Sequence, residues 1–375
     1  NSESYFLAGK NMHWIIAMLS IVATETSVLT FVGIPAISYS SGNWNFLQVV
    51  FGYIIGRIIV SYFLLPMYYK EGIVSIYQVI GKKFGKSIQK MASITFLLTR
   101  LLADGVRFLA TAGIVSIITG WELDLSVVLI AIITIFYSSI GGMKTILWID
   151  GFQFFIYLSC GLISLFHIFG NESFNYEKIY ENGFFDIINF SQDLISYQGL
   201  LMSILAGILM SLGSHGIDYL MVQRVLSTDS LSSAKKAMIG SGFFVFIQFA
   251  IFLCVGTFLL SGTFFDNSTS SNSIFTSYIK NYITPGIRGL MLAGILSASM
   301  SSLSSSINAL ASSTVIDIFN KSLNVKESIM VSIFWGIVLT VFCLIFDYNP
   351  ESSIVILSLK IVSFTYGGLI SLFIF

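Results

Sequence analysis

Apolar runs long enough to cross a bilayer recur ten times along these 375 residues, and no other feature narrows the possible folds so far. A membrane span needs about 20 apolar residues, because the hydrocarbon core is about 30 Å thick and a helix rises about 1.5 Å per residue. Inside that core the backbone has no water to bond with, so each run is read as a helix. The runs cover about 13–40, 44–69, 88–119, 124–140, 145–169, 197–223, 235–261, 285–316, 327–346 and 352–375. Charged residues are 10% of the chain and hydrophobic residues 55%, whereas a soluble domain is about 25% charged. The mean hydropathy of +0.86 agrees. The sequence therefore describes an all-α polytopic membrane protein, with 1–375 as a single transmembrane domain.

The loops set an expected orientation. Alternate loops from the N-terminus hold Lys10, then Lys70, Lys82, Lys83, Lys86 and Lys90, then Lys144, then Arg224, Lys235 and Lys236, then Lys321 and Lys326, twelve basic residues in all. The other loops hold three, Lys178, Lys280 and Arg288, among the acids Glu122, Asp124, Glu172, Glu177, Glu181, Asp186, Asp193 and Asp266. Basic residues stay on the cytoplasmic side, so the N-terminal end of helix one is expected in the cytoplasm. A missed span would scramble this alternation. The net charge of zero offers no basic surface for nucleic acid. Cys160, Cys254 and Cys343 lie in apolar runs with no CxxC spacing, which excludes a zinc or disulfide framework.

Eight charged residues fall within or at the edge of the runs: Arg57, Arg100, Arg107, Lys360, Glu25, Asp104, Asp150 and Asp218. Such groups are costly at membrane depth and mark a pathway or an ion pair, although those near span ends can snorkel to the interface. Two runs are also interrupted at matching places. Span one reads Ala23-Thr24-Glu25-Thr26-Ser27, then Thr30-Phe31-Val32-Gly33-Ile34-Pro35, and span six reads Gly213-Ser214-His215-Gly216-Ile217-Asp218. They head two five-span halves, a first repeat over about 13–170 and a second over about 197–375. Five is odd, so the halves are inverted. Broken helices at corresponding positions of inverted repeats mark the central site of such proteins, because unwound carbonyls and amides can serve an ion and a solute where lipid cannot.

Span eight contains Ala298-Ser299-Met300-Ser301-Ser302-Leu303-Ser304-Ser305-Ser306. Ser301, Ser304 and Ser305 share one helix face, with Ala298 and Ser302 on the adjoining stripe. Clustered hydroxyl oxygens suit a hard cation. Serines in membrane helices also bond back to carbonyls one turn earlier or pack helix on helix.

With these residues in view, Ala298-x-x-Ser301-Ser302-x-Ser304-Ser305 resembles the eighth core helix of the sodium/solute symporter family, which includes sodium–glucose, sodium–proline and sodium–sialic acid transporters. Phe6-Leu7-Ala8-Gly9-Lys10 resembles that family's entry to core helix one. Gly141-Gly142-Met143-Lys144 through Trp148-Ile149-Asp150-Gly151-Phe152-Gln153 resembles its GG…WTD…Q signature, with Ile149 in place of the usual threonine. Asp218 with Gln223-Arg224 resembles the end of its core helix six. The resemblance runs from about residue 5 to the end of the chain. It implies a LeuT-like five-plus-five inverted repeat with broken helices one and six, and Na+ as the coupling ion. It also implies a conserved sodium site made by the carbonyls of Ala23, Thr26 and Ala298 with the hydroxyls of Ser301 and Ser302. A second sodium site, as in the sialic acid branch, would use Asp150, Ser301, Ser304 and Ser305.

The solute is then expected between the two breaks. Candidate contacts are Glu25, Ser27, Thr30, Gln48, Arg107 and Asp218, with Gln248 on span seven a weaker one. Glu25 could instead bridge to Arg107. Arg107 could hold a carboxylate through two parallel hydrogen bonds, although Asp104 lies one turn away. The implied protein is a sodium-coupled secondary active symporter importing a small polar solute (carboxylate, amino acid or sugar) by alternating access, with two sodium ions per cycle if both sites fill, and not an enzyme. It would sit among membrane lipid as an integral multi-pass protein of a bacterial inner membrane, with no nucleic acid and no obligate protein partner. The alternatives are a solute-sensing input domain of a signalling protein and a proton-coupled carrier of the same fold. Helices are expected to be missing from one or both ends.

Overall fold

The computed structural model describes residues 2–188, 195–196, 199–265, 271–320, 324–346 and 354–374. Asp193, Asp266 and Lys321, which entered the loop comparison, lie outside the described residues, as does the side chain of Lys360. Among the described residues the chain is helical, and the one β-bridge joins Met12 to Thr228.

The helices follow the apolar runs. Span one is Trp14–Glu25 with Val28–Ser41, span two is Phe46–Glu71, and span three is Lys86–Thr119. Spans four and five form the unbroken helical assignment Leu123–Phe169, 47 residues long. A straight helix of that length would be more than twice the membrane's thickness. Gly142, at φ 57° and ψ −160°, turns the chain back and divides it. A β-carbon at Gly142 would lie 2.7 Å from Tyr5, so the glycine is needed both for its left-handed φ and for the close approach of the N-terminal segment. Span six is Leu200–Ser211, Leu212–Ile217 and Tyr219–Leu226. Span seven is Leu231–Ser261, span eight is Pro285–Ser313 continued by Thr314–Ile318, span nine is Val325–Ile345 and span ten is Ile354–Ile374.

Both expected breaks are present, with one correction. In span one Thr26 and Ser27 take extended backbone, at ψ 99° and 172°, and the two halves meet at a bend of 62°. Gly33, Ile34 and Pro35 are helical and lie inside the second half; a proline here removes one hydrogen bond without ending the helix. The interruption is thus confined to 26–27. In span six the Leu212–Ile217 turn is wound wide, and Asp218 is extended at ψ 116°.

Spans two and six touch backbone to backbone. A β-carbon on Gly52 would sit 2.2 Å from the Ile204 carbonyl oxygen, and one on Gly207 would sit 2.0 Å from that of Val49. Small residues that let membrane helices approach this closely gain dispersion contacts that lipid cannot match. The N-terminal segment is tied across one end of the bundle. Tyr5 donates its hydroxyl to the Ser139 carbonyl at 2.5 Å, Gln223 donates to the Phe6 carbonyl at 2.9 Å, and the Met12 amide donates to Ser227 at 3.0 Å.

Arg224 corrects the loop reading. It lies in the last helical turn of span six and is fully buried, so it is not one of the basic loop residues. The remaining basic residues still fall heavily on one set of loops.

Candidate functional site

The first half of span one stops at Glu25, so its last carbonyls lack the amides that would follow in a continuous helix. Span eight passes this exposed backbone with its serine face. Ser302 donates its hydroxyl between two carbonyl oxygens, that of Thr24 at 3.3 Å and that of Ala298 at 3.2 Å. Ala23, Ala298 and Ser301 are fully buried, and Thr26 likewise. Ser301 Oγ is buried with no hydrogen-bond partner among the described residues. Tyr157 on span five and Gln248 on span seven hold the break open: Gln248 donates to the Thr26 hydroxyl at 2.5 Å, and Tyr157 donates to Gln248 at 2.5 Å. Thr26 in turn donates back to the Val22 carbonyl at 2.8 Å. Of the residues expected for the conserved sodium site, Ser302 and Ala298 of span eight thus meet span one at the Thr24 carbonyl, with buried Ala23 and Thr26 close to Thr24 in the chain and buried Ser301 next to Ser302. Their oxygen chemistry, with an orphaned buried hydroxyl, suits a hard cation.

Asp150, fully buried on span five, is met by a second set of groups. Its Oδ2 accepts from Ser20 at 2.6 Å and from Thr24 at 3.3 Å, and lies 3.5 Å from Arg224. Its Oδ1 has no partner among the described residues. Ser304 and Ser305 donate to the Ser301 carbonyl at 3.1 and 2.6 Å, the back-bonding habit of serine in membrane helices. Arg224 also donates to Ser305 and, at 3.0 Å, to Ser20. Of the four residues expected for a second site, Ser305 reaches Asp150 through Arg224 and Thr24, and Ser301 and Ser304 adjoin Ser305 on span eight, as the helical spacing predicts. The guanidinium among them was not expected, because Arg224 sits at a span end where hydropathy alone suggests a loop. The pair Ser20 and Thr24, spaced i, i+4 on span one, was a readable signal that went unused.

The remaining intramembrane charges form two clasps. Glu25 pairs with Arg57, and His215 Nε2 of the span-six turn lies 3.5 Å from the same carboxylate. Arg57, fully buried, also donates to Ser241 on span seven at 2.6 Å. Glu25 thus bridges to Arg57 and not to Arg107. The second clasp runs from span six to span three. Asp218 caps the Leu220 amide at 3.0 Å, pairs with Arg100, and accepts from Tyr366 of span ten at 2.6 Å. Arg100 reaches Asp104 at 3.2 Å, and Asp104 accepts from Ser306 at 2.6 Å. Arg57 and Arg100 therefore do not snorkel; each is buried and paired, which is how such charges are tolerated in a membrane.

The last link of that chain opens on a cavity. Arg107, 3.6 Å from Asp104, retains 24% of its side-chain exposure. Together with Ser27, Asp104, Thr111, Ser299 and Ser302 it lines a space of about 10 Å³, room for roughly one water. Solute sites are nearer 300–1,000 Å³, so this conformation is closed around that point. Of the six expected solute contacts, Ser27 and Arg107 meet there. Glu25 and Asp218 are engaged in the clasps. Gln48 turns aside and donates to the Ile187 carbonyl at 2.6 Å, anchoring the segment after span five. Thr30 is half-buried in the second half of span one and does not line the cavity.

Comparison with known proteins adds to this geometry. The sequence profile described as the sodium:solute symporter family matches residues 5–375. The chain is 24% identical over 346 residues to the sodium/iodide cotransporter of Homo sapiens, covering 88% of this chain and 54% of that protein. It is 27% identical over 328 residues to sodium-coupled monocarboxylate transporter 2 of Mus musculus, covering 84% and 53%. The chain spans about half the length of the curated relatives it matches. Its structure resembles that of a Na+-coupled sialic acid symporter in a substrate-bound, outward-open state, with a TM-score of 0.86 at 22% identity over 99% of this chain and 80% of that one. It also resembles MhsT in complex with L-phenylalanine, with a TM-score of 0.68 at 15% identity over 97% and 89%. The structural likenesses establish the LeuT-type fold with broken helices one and six, and the family match together with the long apolar helices marks an integral membrane protein.

Proposed function

Because this chain belongs to the sodium:solute symporter family, we propose that it is the core of a sodium-coupled secondary active symporter that imports a small polar solute by alternating access. The observation that carries this reading is the Ser302 hydroxyl set between the Thr24 carbonyl at the span-one break and the Ala298 carbonyl of span eight. A sodium ion held by the carbonyls of Ala23, Thr26 and Ala298 and the hydroxyls of Ser301 and Ser302 would join the two spans, and its departure would free them to part. Each ion moving down the potential supplies about 2.3 kcal/mol per 100 mV, enough to drive solute accumulation.

For the solute we favour a carboxylate over a neutral sugar. Arg107 is the cation that lines the cavity beside Ser27 and the sodium-site serine Ser302, and a guanidinium can grip a carboxylate through two parallel bonds. Asp104 would then be shared between Arg100, Arg107 and Ser306. The single domain, its repeats over about 13–170 and 197–375 and a bacterial inner-membrane setting belong to the same proposal, as does a cytoplasmic N-terminal end of helix one, which the loop charges support.

The test is thermal stability of the purified protein in sodium against equimolar potassium, since a ligand that binds only the folded state must raise its melting temperature. A sodium-specific rise that Ser302→Ala abolishes supports the site. Equal stability in the two salts up to about 0.3 M, where even weak sites fill appreciably, counts against sodium and points to protons. Carboxylates are then screened for further stabilisation in sodium, which Arg107→Ala should remove.

A further inference from the structure

The geometry points to Arg224 as a built-in cation that takes the place of a second sodium ion, so that the transporter carries one sodium per cycle while Arg224 is in place. This rests on the sodium-coupled reading above and fixes its stoichiometry. Four observations carry it. Arg224 is fully buried beside fully buried Asp150, its Nη2 3.5 Å from Oδ2. The same guanidinium donates to Ser305, whose own hydroxyl hydrogen is committed to the Ser301 carbonyl at 2.6 Å. Its Nε donates to Ser20 at 3.0 Å, which in turn donates to Asp150 at 2.6 Å. Its Nη1 donates to the Leu220 carbonyl one turn earlier, tying the head group to its own helix.

The charge balance follows directly. One carboxylate and one guanidinium already sum to zero in a site with no water-exposed surface, and a sodium ion added there would bring an uncompensated positive charge, which burial penalises heavily. Two buried oxygen atoms, Asp150 Oδ1 and Ser301 Oγ, make no hydrogen bond of normal geometry among the described residues, and the Ser301 hydroxyl lies beside the Asp150 carboxylate. These are the ligands a second sodium ion would take once the guanidinium was removed and Asp150 needed a new counter-charge. A side-chain cation differs from a free one in a single respect that matters for transport: it cannot be released, so it neutralises Asp150 without contributing to the driving force.

The test counts bound ions and needs no knowledge of the solute. Equilibrium binding of radiolabelled sodium to the purified protein should give one ion per wild-type chain, two for Arg224→Gln, and one again for Arg224→Gln combined with Asp150→Asn. Two ions per wild-type chain, or one in Arg224→Gln, overturns the proposal while leaving sodium coupling intact. No bound sodium in the wild type overturns the coupling reading itself. Should Arg224→Gln fail to fold, the wild-type protein still decides. Its sodium-dependent stabilisation should follow a one-site curve with a Hill coefficient near 1, and a coefficient approaching 2 with two bound ions overturns the assignment.

Discussion

Tyr366 of span ten donates its hydroxyl to Asp218 at the break of span six, 2.6 Å away, and accepts from Arg100 of span three at 3.0 Å. One phenol therefore ties three spans to the point where span six loses its helical geometry. Tyr366→Phe removes both of those hydrogen bonds to charged groups but leaves the Arg100–Asp218 pair in place, so it should cost about 2–3 kcal/mol. Asp218→Asn should cost more, because it strips buried Arg100 of a charge partner, while the asparagine oxygen can still cap the Leu220 amide. Thermal unfolding of both variants in detergent, with an equal loss for each, would sink this ordering.

The Glu25–Arg57 clasp joins the span-one break to spans two and seven. Removing one member of a buried pair leaves the other unpaired, at about 3–5 kcal/mol. Glu25→Ala should therefore destabilise strongly, and Glu25→Ala with Arg57→Met should recover much of the loss. A double variant no more stable than the single would show that the pair is not coupled in this way.

Sodium affinity offers the most direct reading of the span-one break. In Ser302→Ala, one hydroxyl would be lost from the proposed site, which is otherwise made of carbonyls and Ser301. The sodium concentration that gives half-maximal stabilisation should rise about tenfold, equivalent to about 1.4 kcal/mol, while stability in potassium falls by only about 1 kcal/mol, for the hydrogen bond lost to the Thr24 and Ala298 carbonyls. An unchanged sodium midpoint would remove Ser302 from the site.

A variant at Arg107 should separate the proposed solute contact from the ion site. Arg107→Ala should abolish stabilisation by carboxylates, a loss of about ten- to a hundredfold in affinity for a charge-assisted double contact, and leave the sodium midpoint unchanged. Equal loss of both responses would place Arg107 in the structure and not in solute binding.

Backbone geometry makes a separate prediction at Gly142. Its φ of 57° and the 2.7 Å approach of Tyr5 leave no room for a β-carbon. Gly142→Ala should destabilise by about 1–3 kcal/mol from backbone strain alone, with further loss from displacing Tyr5. A melting temperature equal to wild type would show that the turn between spans four and five relaxes freely.

The apolar helices among the described residues, their order and the two breaks were legible in the amino-acid sequence, because each depends on local facts: whether about 20 neighbouring residues are apolar enough for lipid, and whether glycines and polar residues interrupt them. The serine face of span eight was legible for the same reason, since helical periodicity places Ser301, Ser304 and Ser305 together without reference to any partner. The tertiary structure alone decided what those residues meet. Glu25 finds Arg57 and not Arg107, Gln48 serves the Ile187 carbonyl, and Arg224 leaves the loops for the carboxylate of Asp150. Residues 25 and 57, or 150 and 224, are brought together by the packing of whole spans, and hydropathy carries no term for which face of one helix will meet which face of another. At membrane depth the cost of an unpaired charge then forces each such group to find its partner wherever the packing has placed one.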